Sequence, residues 1–222
     1  MKKLAAAIAA LLLLPCAAHA QSGPVTPADI AAAKARADQL IRQANAGSFF
    51  TNISDGAIPM VRHDRSRLIC LFSMDESTSR IVVFDDNSPT RGDDVGCTEV
   101  SEGVSSTHYA TRYRPAITLQ AALDDAVAAI RQRFADATPF PNPVETAADD
   151  ADSGLPRTLL AHFQVQVNGA PHYTAVRVAE ADGWIYKQRI TAAVDIASTA
   201  QWLADAFWRM GLKGVVGRDK SI

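Results

Sequence analysis

The chain has 222 residues, 48% of them hydrophobic and 21% charged, with 22 basic side chains against 24 acidic ones and three cysteines. That length allows one sizeable core or two small ones, and the composition excludes collagen-like, mucin-like and wholly disordered chains. A net charge of -2 leaves no basic excess to hold nucleic acid or anionic lipid.

Residues 1–20 read as a signal peptide. Lys2 and Lys3 form a positive start, and Leu4 to Leu14 is an apolar run too short to span a bilayer. Pro15 breaks that run, and Ala18-His19-Ala20 fits the small-x-small cleavage rule, so the mature chain starts at Gln21. Leu13-Leu14-Pro15-Cys16 has the outline of a lipoprotein box, but Pro15 stands where that box wants a small residue, so lipidation at Cys16 is disfavoured. No later segment approaches the ~20 apolar residues of a spanning helix, so no membrane insertion is expected after cleavage. The expected location is the bacterial periplasm or the medium, with 20 basic and 24 acidic side chains left.

Thr26 reads as the N-cap of a first helix, with Pro27 at its first position and Asp29 in its first turn. Ile30, Ala33, Ala37, Leu40, Ile41 and Ala44 make its apolar stripe, Arg36 falls on the opposite side, and Asn45 and Gly47 stop it. Residues 49–114 read as short strands: Phe49–Ile53, Met60–Arg62, Leu68–Phe72, Arg80–Phe84, Cys97–Val100 and Thr107–Tyr113, separated by polar turns. Cleavage discards Cys16, and Cys70 and Cys97 are expected to pair as a disulfide in an oxidising compartment. That bond would stabilise by roughly 3–4 kcal/mol through chain entropy and would tie the Leu68–Phe72 strand to the Cys97 strand. Zinc on His63, Cys70, Cys97 and His108 is the rival reading, but those spacings are far wider than paired ligands adopt.

Thr118 caps a second helix running to about Asp136, its apolar face built on Leu119, Ala122, Leu123, Ala126, Val127, Ile130 and Phe134. Residues 138–157, with four prolines and four acids, read as an extended loop within one domain rather than a boundary. Leu159–Val167 alternates, with Phe163, Val165 and Val167 on one face and His162, Gln164 and Gln166 on the other. Asn168-Gly169 is a strong hairpin signal, and His172–Val178 returns. A second turn at Ala181-Asp182-Gly183 leads into Trp184–Thr191. A three-residue turn would put Tyr186, Gln188 and Ile190 on the Val176 face, and a two-residue turn would put Ile185, Lys187 and Arg189 there. The last helix is expected from about Asp195 to Met210, stopped by Gly211, with residues 213–222 as a flexible tail.

From Thr118 to Met210 the order of elements resembles the PsbP/DcrB group of small exported or accessory domains. The stretches that carry it are LQAALDDAVAAIRQRF, FQVQVNGAPHYTAVRV, GWIYKQRI and TAQWLADAFWRM. VRHDRSRLIC and THYATRYR give the whole chain a likeness to uncharacterised exported proteins of alphaproteobacteria. The first resemblance implies an antiparallel sheet flanked by helices and a role without catalysis; neither transfers a functional residue.

No nucleophile elbow, P-loop, dinucleotide-binding glycine set or H-E-x-x-H occurs. One stretch is locally basic, Arg62-His63-Asp64-Arg65-Ser66-Arg67, and arginine forks suit carboxylate or phosphate. Arg62, His63, Arg65 and Arg67, joined by Arg112 and Arg114, make the candidate anion patch; a solvated hairpin tip and the wet face of a strand are the bland alternatives. Asp85-Asp86-Asn87 with Asp93-Asp94 gathers oxygen ligands, but not in an EF-hand spacing. His162, Gln164, Gln166, Tyr173 and Arg177 form a polar stripe that either faces solvent or walls a cleft.

The expectation is therefore a single exported α+β domain over residues 21–212, an antiparallel sheet of meanders flanked by amphipathic helices. It calls for no cofactor and no metal. Its role is binding or envelope support, with a small molecule or an envelope protein as partner. A hydrolase without a recognisable motif, or a structural part of an envelope complex, is the alternative.

Overall fold

The structure is a computed structural model describing residues 24–74, 79–84, 88–141 and 154–217. The expected signal peptide, Asp85–Asn87, the middle of the acidic loop and residues 218–222 lie outside the described residues.

Helix α1 spans Pro27–Gln43 and begins with a reciprocal capping box between Thr26 and Asp29, which satisfies two of the orphan amides at its start. Ala33, Ala37, Leu40 and Ile41 are buried as the spacing requires. Arg36 is buried as well, against the expectation of a solvent side. Its guanidinium lies flat enough to reach Gln39 Oε1 at 3.2 Å on the next turn, and its stem covers apolar surface.

The strands form two antiparallel sheets, consistent with an α+β fold. The small one orders β1 (Phe50–Asn52), β2 (Met60–His63) and β3 (Ile69–Leu71). The large one has seven strands. One half is β4 (Arg80–Val83), β5 (Asp94–Ser101) and β6 (Val104–Thr111); the other is β10 (Trp184–Ala193), β9 (Ala170–Ala181), β8 (Thr158–Val167) and the two-residue β7 (Thr138–Pro139), joined where β6 pairs β10. The pairing of Thr138 with Gln164 turns the start of the expected loop into an edge strand.

Ala181 pairs directly with Trp184, so the second turn has two residues. Asp182 and Gly183 take φ values of 52° and 73°, as Asn168 and Gly169 take 52° and 77°, the left-handed pair that a two-residue hairpin twist demands. This fixes the register. Lys187 stands opposite Val178 and Arg189 opposite Val176, while Gln188 stands opposite Arg177. The cations thus share a face with the valines, and the polar stripe shares a face with Gln188.

Helix α2 (Leu119–Arg133), capped by Thr118, lies on the valine face of β8 and β9. It ends at Arg133 with Phe134 as its C-cap, short of the expected end near Asp136; Ala122 is buried, and Ala126 and Ile130 pack with Phe163, Val165 and Val176. Helix α3 (Ala197–Val216) follows a short 3-10 turn and covers the opposite face. It runs through Gly211 and Gly214 instead of stopping at Met210, burying Leu212 and Val215 beyond the expected end. Tertiary packing overrides the glycine signal: a Cβ on Gly214 would come within 2.7 Å of Ile69 Cδ1, so the missing side chain lets α3 close on the small sheet.

One cluster of buried side chains joins α1, both sheets and α3: Leu40, Phe50, Val61, Cys70, Val95, Cys97, Tyr186, Trp208 and Leu212 among them. At its centre Cys70 of β3 and Cys97 of β5 are bonded across 27 residues, with sulfurs 2.08 Å apart. The bridge ties one sheet to the other. A Cys70→Ala/Cys97→Ala variant should therefore lose about 3–4 kcal/mol, the closure entropy of a loop of that length. Urea unfolding of the variant beside the oxidised protein measures it, and a loss under about 1 kcal/mol would mean that the reference state already holds the sheets together.

Candidate functional site

The turn between β2 and β3 carries Arg65, and the strand end after β6 carries Arg112 and Arg114. All three contact Asp93, which precedes β5: Arg65 and Arg114 through their guanidiniums and Arg112 through its backbone amide. Asp93 is only 7% exposed at its side chain; Arg114 Nη2 lies 3.1 Å from its Oδ2, and Arg65 forms an ion pair with its Oδ1. The Arg112 amide donates to the Asp93 carbonyl at 2.7 Å, which locks the strand end to the same residue. Beneath Arg65 lies the face of Trp184, 5.8 Å from the guanidinium carbon. Burial and the charges of Arg112 and Arg114 lower the Arg65 pKa. An arginine does not give up its proton in this range, so Arg65 stays charged beside two further cations. Asp93 carries one negative charge for the two guanidiniums it binds, both partly exposed, and Arg112 adds a third cation nearby on an exposed side chain.

The remaining members of the expected patch lie elsewhere. His63 is 0% exposed and belongs to the core, its ring 5.1 Å from that of Phe50 and 5.6 Å from that of Trp184. Its Nδ1 accepts from the Ser66 amide at 3.2 Å, and Ser66 Oγ sits 2.8 Å away. Burial, aided by Arg65, lowers its pKa to about 4, so at neutral pH it carries no charge for an anion. Strand alternation puts Arg62 on the face of β2 opposite His63. Arg67 takes a left-handed φ of 66° at the turn exit. The missing partner in the sequence reading is Asp93. It was counted as a calcium oxygen; its signal was a carboxylate one residue before a strand, in a turn with Gly92. Among the described residues no cluster of metal-ligating side chains occurs.

The polar stripe divides: Tyr173 and Arg177 on β9 are buried on the face that α3 packs against, His162 and Gln164 are half-buried, and Gln166 faces solvent. In register, Arg177, Gln188 and His108 form one row across β9, β10 and β6. Arg177 is 2% exposed and its Nη1 reaches Asp205 Oδ1 of α3 at 3.1 Å. Arg209 holds the other oxygen of Asp205 at 2.8 Å, so the carboxylate is shared by two cations. Gln188 Nε2 donates toward His108 Nε2 at 3.4 Å, and Ser106 Oγ lies 3.0 Å from the same nitrogen. His162 Nδ1 and the Tyr173 hydroxyl share a hydrogen bond at 2.7 Å. Burial and the neighbouring Arg177 lower both His108 and His162 to about 4. Ser106 and His108 thus form a serine–histidine pair in which the histidine is a poor base, faced by an amide and a guanidinium rather than an orienting carboxylate. The hollow beside His108 between α3 and the sheet measures only about 20 Å³.

Two outcomes follow. The three buried histidines are neutral in both states above pH 6.5; below it the unfolded chain takes protons that the folded one refuses until about pH 4. Stability should fall as pH drops through that window, by up to about 1.4 kcal/mol per pH unit for each histidine. Urea midpoints from pH 7.5 to 4.5 test this, and His108→Gln should flatten the slope by about one proton. Asp205→Asn leaves Arg177 buried without a counter-charge and should cost about 3–5 kcal/mol; a loss below 1 kcal/mol would show that the pair is not needed.

No protein-family model matches the chain, and no curated protein matches it. Two solved structures are similar in outline. PA94 of Pseudomonas aeruginosa, a protein of unknown function, aligns over 73% of this chain and 99% of its own at 9% identity and a TM-score of 0.36. LpqN of Mycobacterium tuberculosis, described as involved in cell envelope biogenesis, aligns over 61% of this chain and 83% of its own at 10% identity and a TM-score of 0.32. At such scores neither likeness bears on what this protein does.

Proposed function

We propose that the chain is an exported, non-catalytic binding protein of the cell envelope, and that its ligand presents a phosphate or carboxylate group to Arg65, Arg112 and Arg114. The observation that carries this is the meeting of two guanidiniums, Arg65 and Arg114, from two sheets, on one buried carboxylate, with the charge of Arg112 beside them. Asp93 fixes two of the side chains at low entropic cost and leaves two positive charges unmatched. An oxyanion bridging the exposed donors would relieve their repulsion and take charge-assisted hydrogen bonds. Export is supported by the Lys2–Ala20 leader pattern and by the paired Cys70 and Cys97, which an oxidising compartment favours. A role without catalysis is supported by the covered, low-pKa state of His108 and by the PsbP/DcrB-like order of elements.

Calorimetric titration with inorganic phosphate, with citrate, and with phosphatidylglycerol vesicles against phosphatidylcholine vesicles tests the proposal and separates a free anion from a lipid headgroup. Arg65→Gln and Arg114→Gln should each weaken the bound anion by at least about tenfold, the loss of a charge-assisted contact. Arg131→Gln, on the far helix, should leave it unchanged, and binding should weaken as salt rises. Equal affinity in the wild type and in folded Arg65→Gln and Arg114→Gln would refute the site.

A further inference from the structure

A second site lies on the other side of β6. Strand alternation at its end sends Arg112 and Arg114 one way and Thr111 and Tyr113 the other, toward α2. There a cleft of about 80 Å³ opens between the helix and the sheet, walled by Thr111, Tyr113, Ala122, Asp125, Ala126, Ala129, Ile185 and Lys187. Its hollow exists because the helix wall is built of alanines where larger side chains would fill the gap.

The cleft is polar, and of its lining polar side chains only Thr111 makes a hydrogen bond among the described residues. Lys187 makes no hydrogen bond or ion pair among the described residues; its Nζ rests 4.5 Å from the centre of the Tyr109 ring. The side chains of Tyr113 and Asp125 likewise make none. Asp94 Oδ1 stands behind, accepting from Thr111 Oγ1 at 2.8 Å. Tyr113, Asp125 and Lys187 line this one cleft, and Lys187 and Tyr113 both feel the charges of Asp94 and Asp125. Burial holds the Lys187 pKa below its ordinary value even so. A cation on the sheet and an anion on the helix therefore face one slot without closing on each other. Lys187 is half-buried and has lost water that no protein partner replaces, while Asp125 stands exposed at the mouth; a ligand bearing both charges can restore the lost contact at Lys187 and pair with Asp125.

We propose that this cleft binds a small zwitterion, an α-amino acid of glycine or alanine size. Its carboxylate meets Lys187 and Tyr113, and its ammonium meets Asp125 with Asp94 behind. The size limit follows from the volume, well under the ~300–1,000 Å³ of drug-sized sites. The charge pattern excludes a simple anion: two carboxylates against one ammonium repel it, which sets this site apart from the arginine cluster.

Amide shift mapping by NMR with glycine, L-alanine and D-alanine tests it, with acetate and methylamine as the two halves of the ligand. The amino acids should shift Thr111, Tyr113, Asp125 and Lys187 along one saturating curve, and each half alone should bind at least about tenfold more weakly. Lys187→Met and Asp125→Asn should each weaken binding by a similar factor. Ala129→Leu, at an exposed helix position that tolerates leucine, should block the cleft in a protein whose spectrum stays folded. No saturable shift in the cleft by about 50 mM amino acid, or equal binding by folded Lys187→Met or Ala129→Leu, would overturn the proposal. Inorganic phosphate should leave the Asp125 and Lys187 amides unmoved, whereas Thr111 and Tyr113 flank the arginines, so failure here and failure of the arginine site read out separately at Asp125 and Lys187.

Discussion

The clamp between the two sheets is the constraint on which the candidate anion site depends. Arg65 rides on the small sheet, while Arg112 and Arg114 end a strand of the large one. Neither group makes a site alone. The Cys70–Cys97 bridge, the burial of His63 between Phe50 and Trp184, and the hydrogen bond from the Tyr186 hydroxyl to the Ser66 carbonyl hold the β2–β3 turn against the end of β6. His63 thus serves the site by packing, as a neutral core ring, and not by charge. Asp93 closes the arrangement by taking an arginine from each sheet.

The two faces of the large sheet are specialised. Helix α3 covers a row of buried polar groups and pairs its arginine, Arg177, with Asp205. Helix α2 covers only the β8–β9 half of the other face with its apolar residues. Where it overhangs the end of β6 it leaves the alanine-walled cleft. The end of β6 therefore feeds two sites of opposite character, one net positive and one mixed, from alternate residues of a single strand end.

What the sequence made legible was local. Thr26, Pro27 and Asp29 declare a helix start because capping acts within one turn, and Asn168-Gly169 declares a hairpin because the twist needs two residues at positive φ. The fold class followed from such signals. Register did not: Asp182-Gly183 fits turns of two lengths, and one residue decides whether Lys187 joins the valine face or the polar row. Gly211 looked like a stop because its stabilising packing partners are distant in sequence. Arg36 looked exposed because periodicity cannot see a guanidinium lying along its own helix. The arginine cluster was half legible. Basic residues stood out, but their anchor Asp93 and the withdrawal of His63 into the core are products of sheet packing.

Arginine-selective NMR, following each Nε–Hε resonance during a phosphate titration, tests most directly whether the guanidiniums gathered on Asp93 act together as a receptor. The account predicts that Arg65, Arg112 and Arg114 move along one saturating curve while Arg62, Arg131 and the sealed Arg177 stay still. Small, unsaturating shifts spread over every exposed arginine would contradict it, leaving Asp93 as an anchor of structure only.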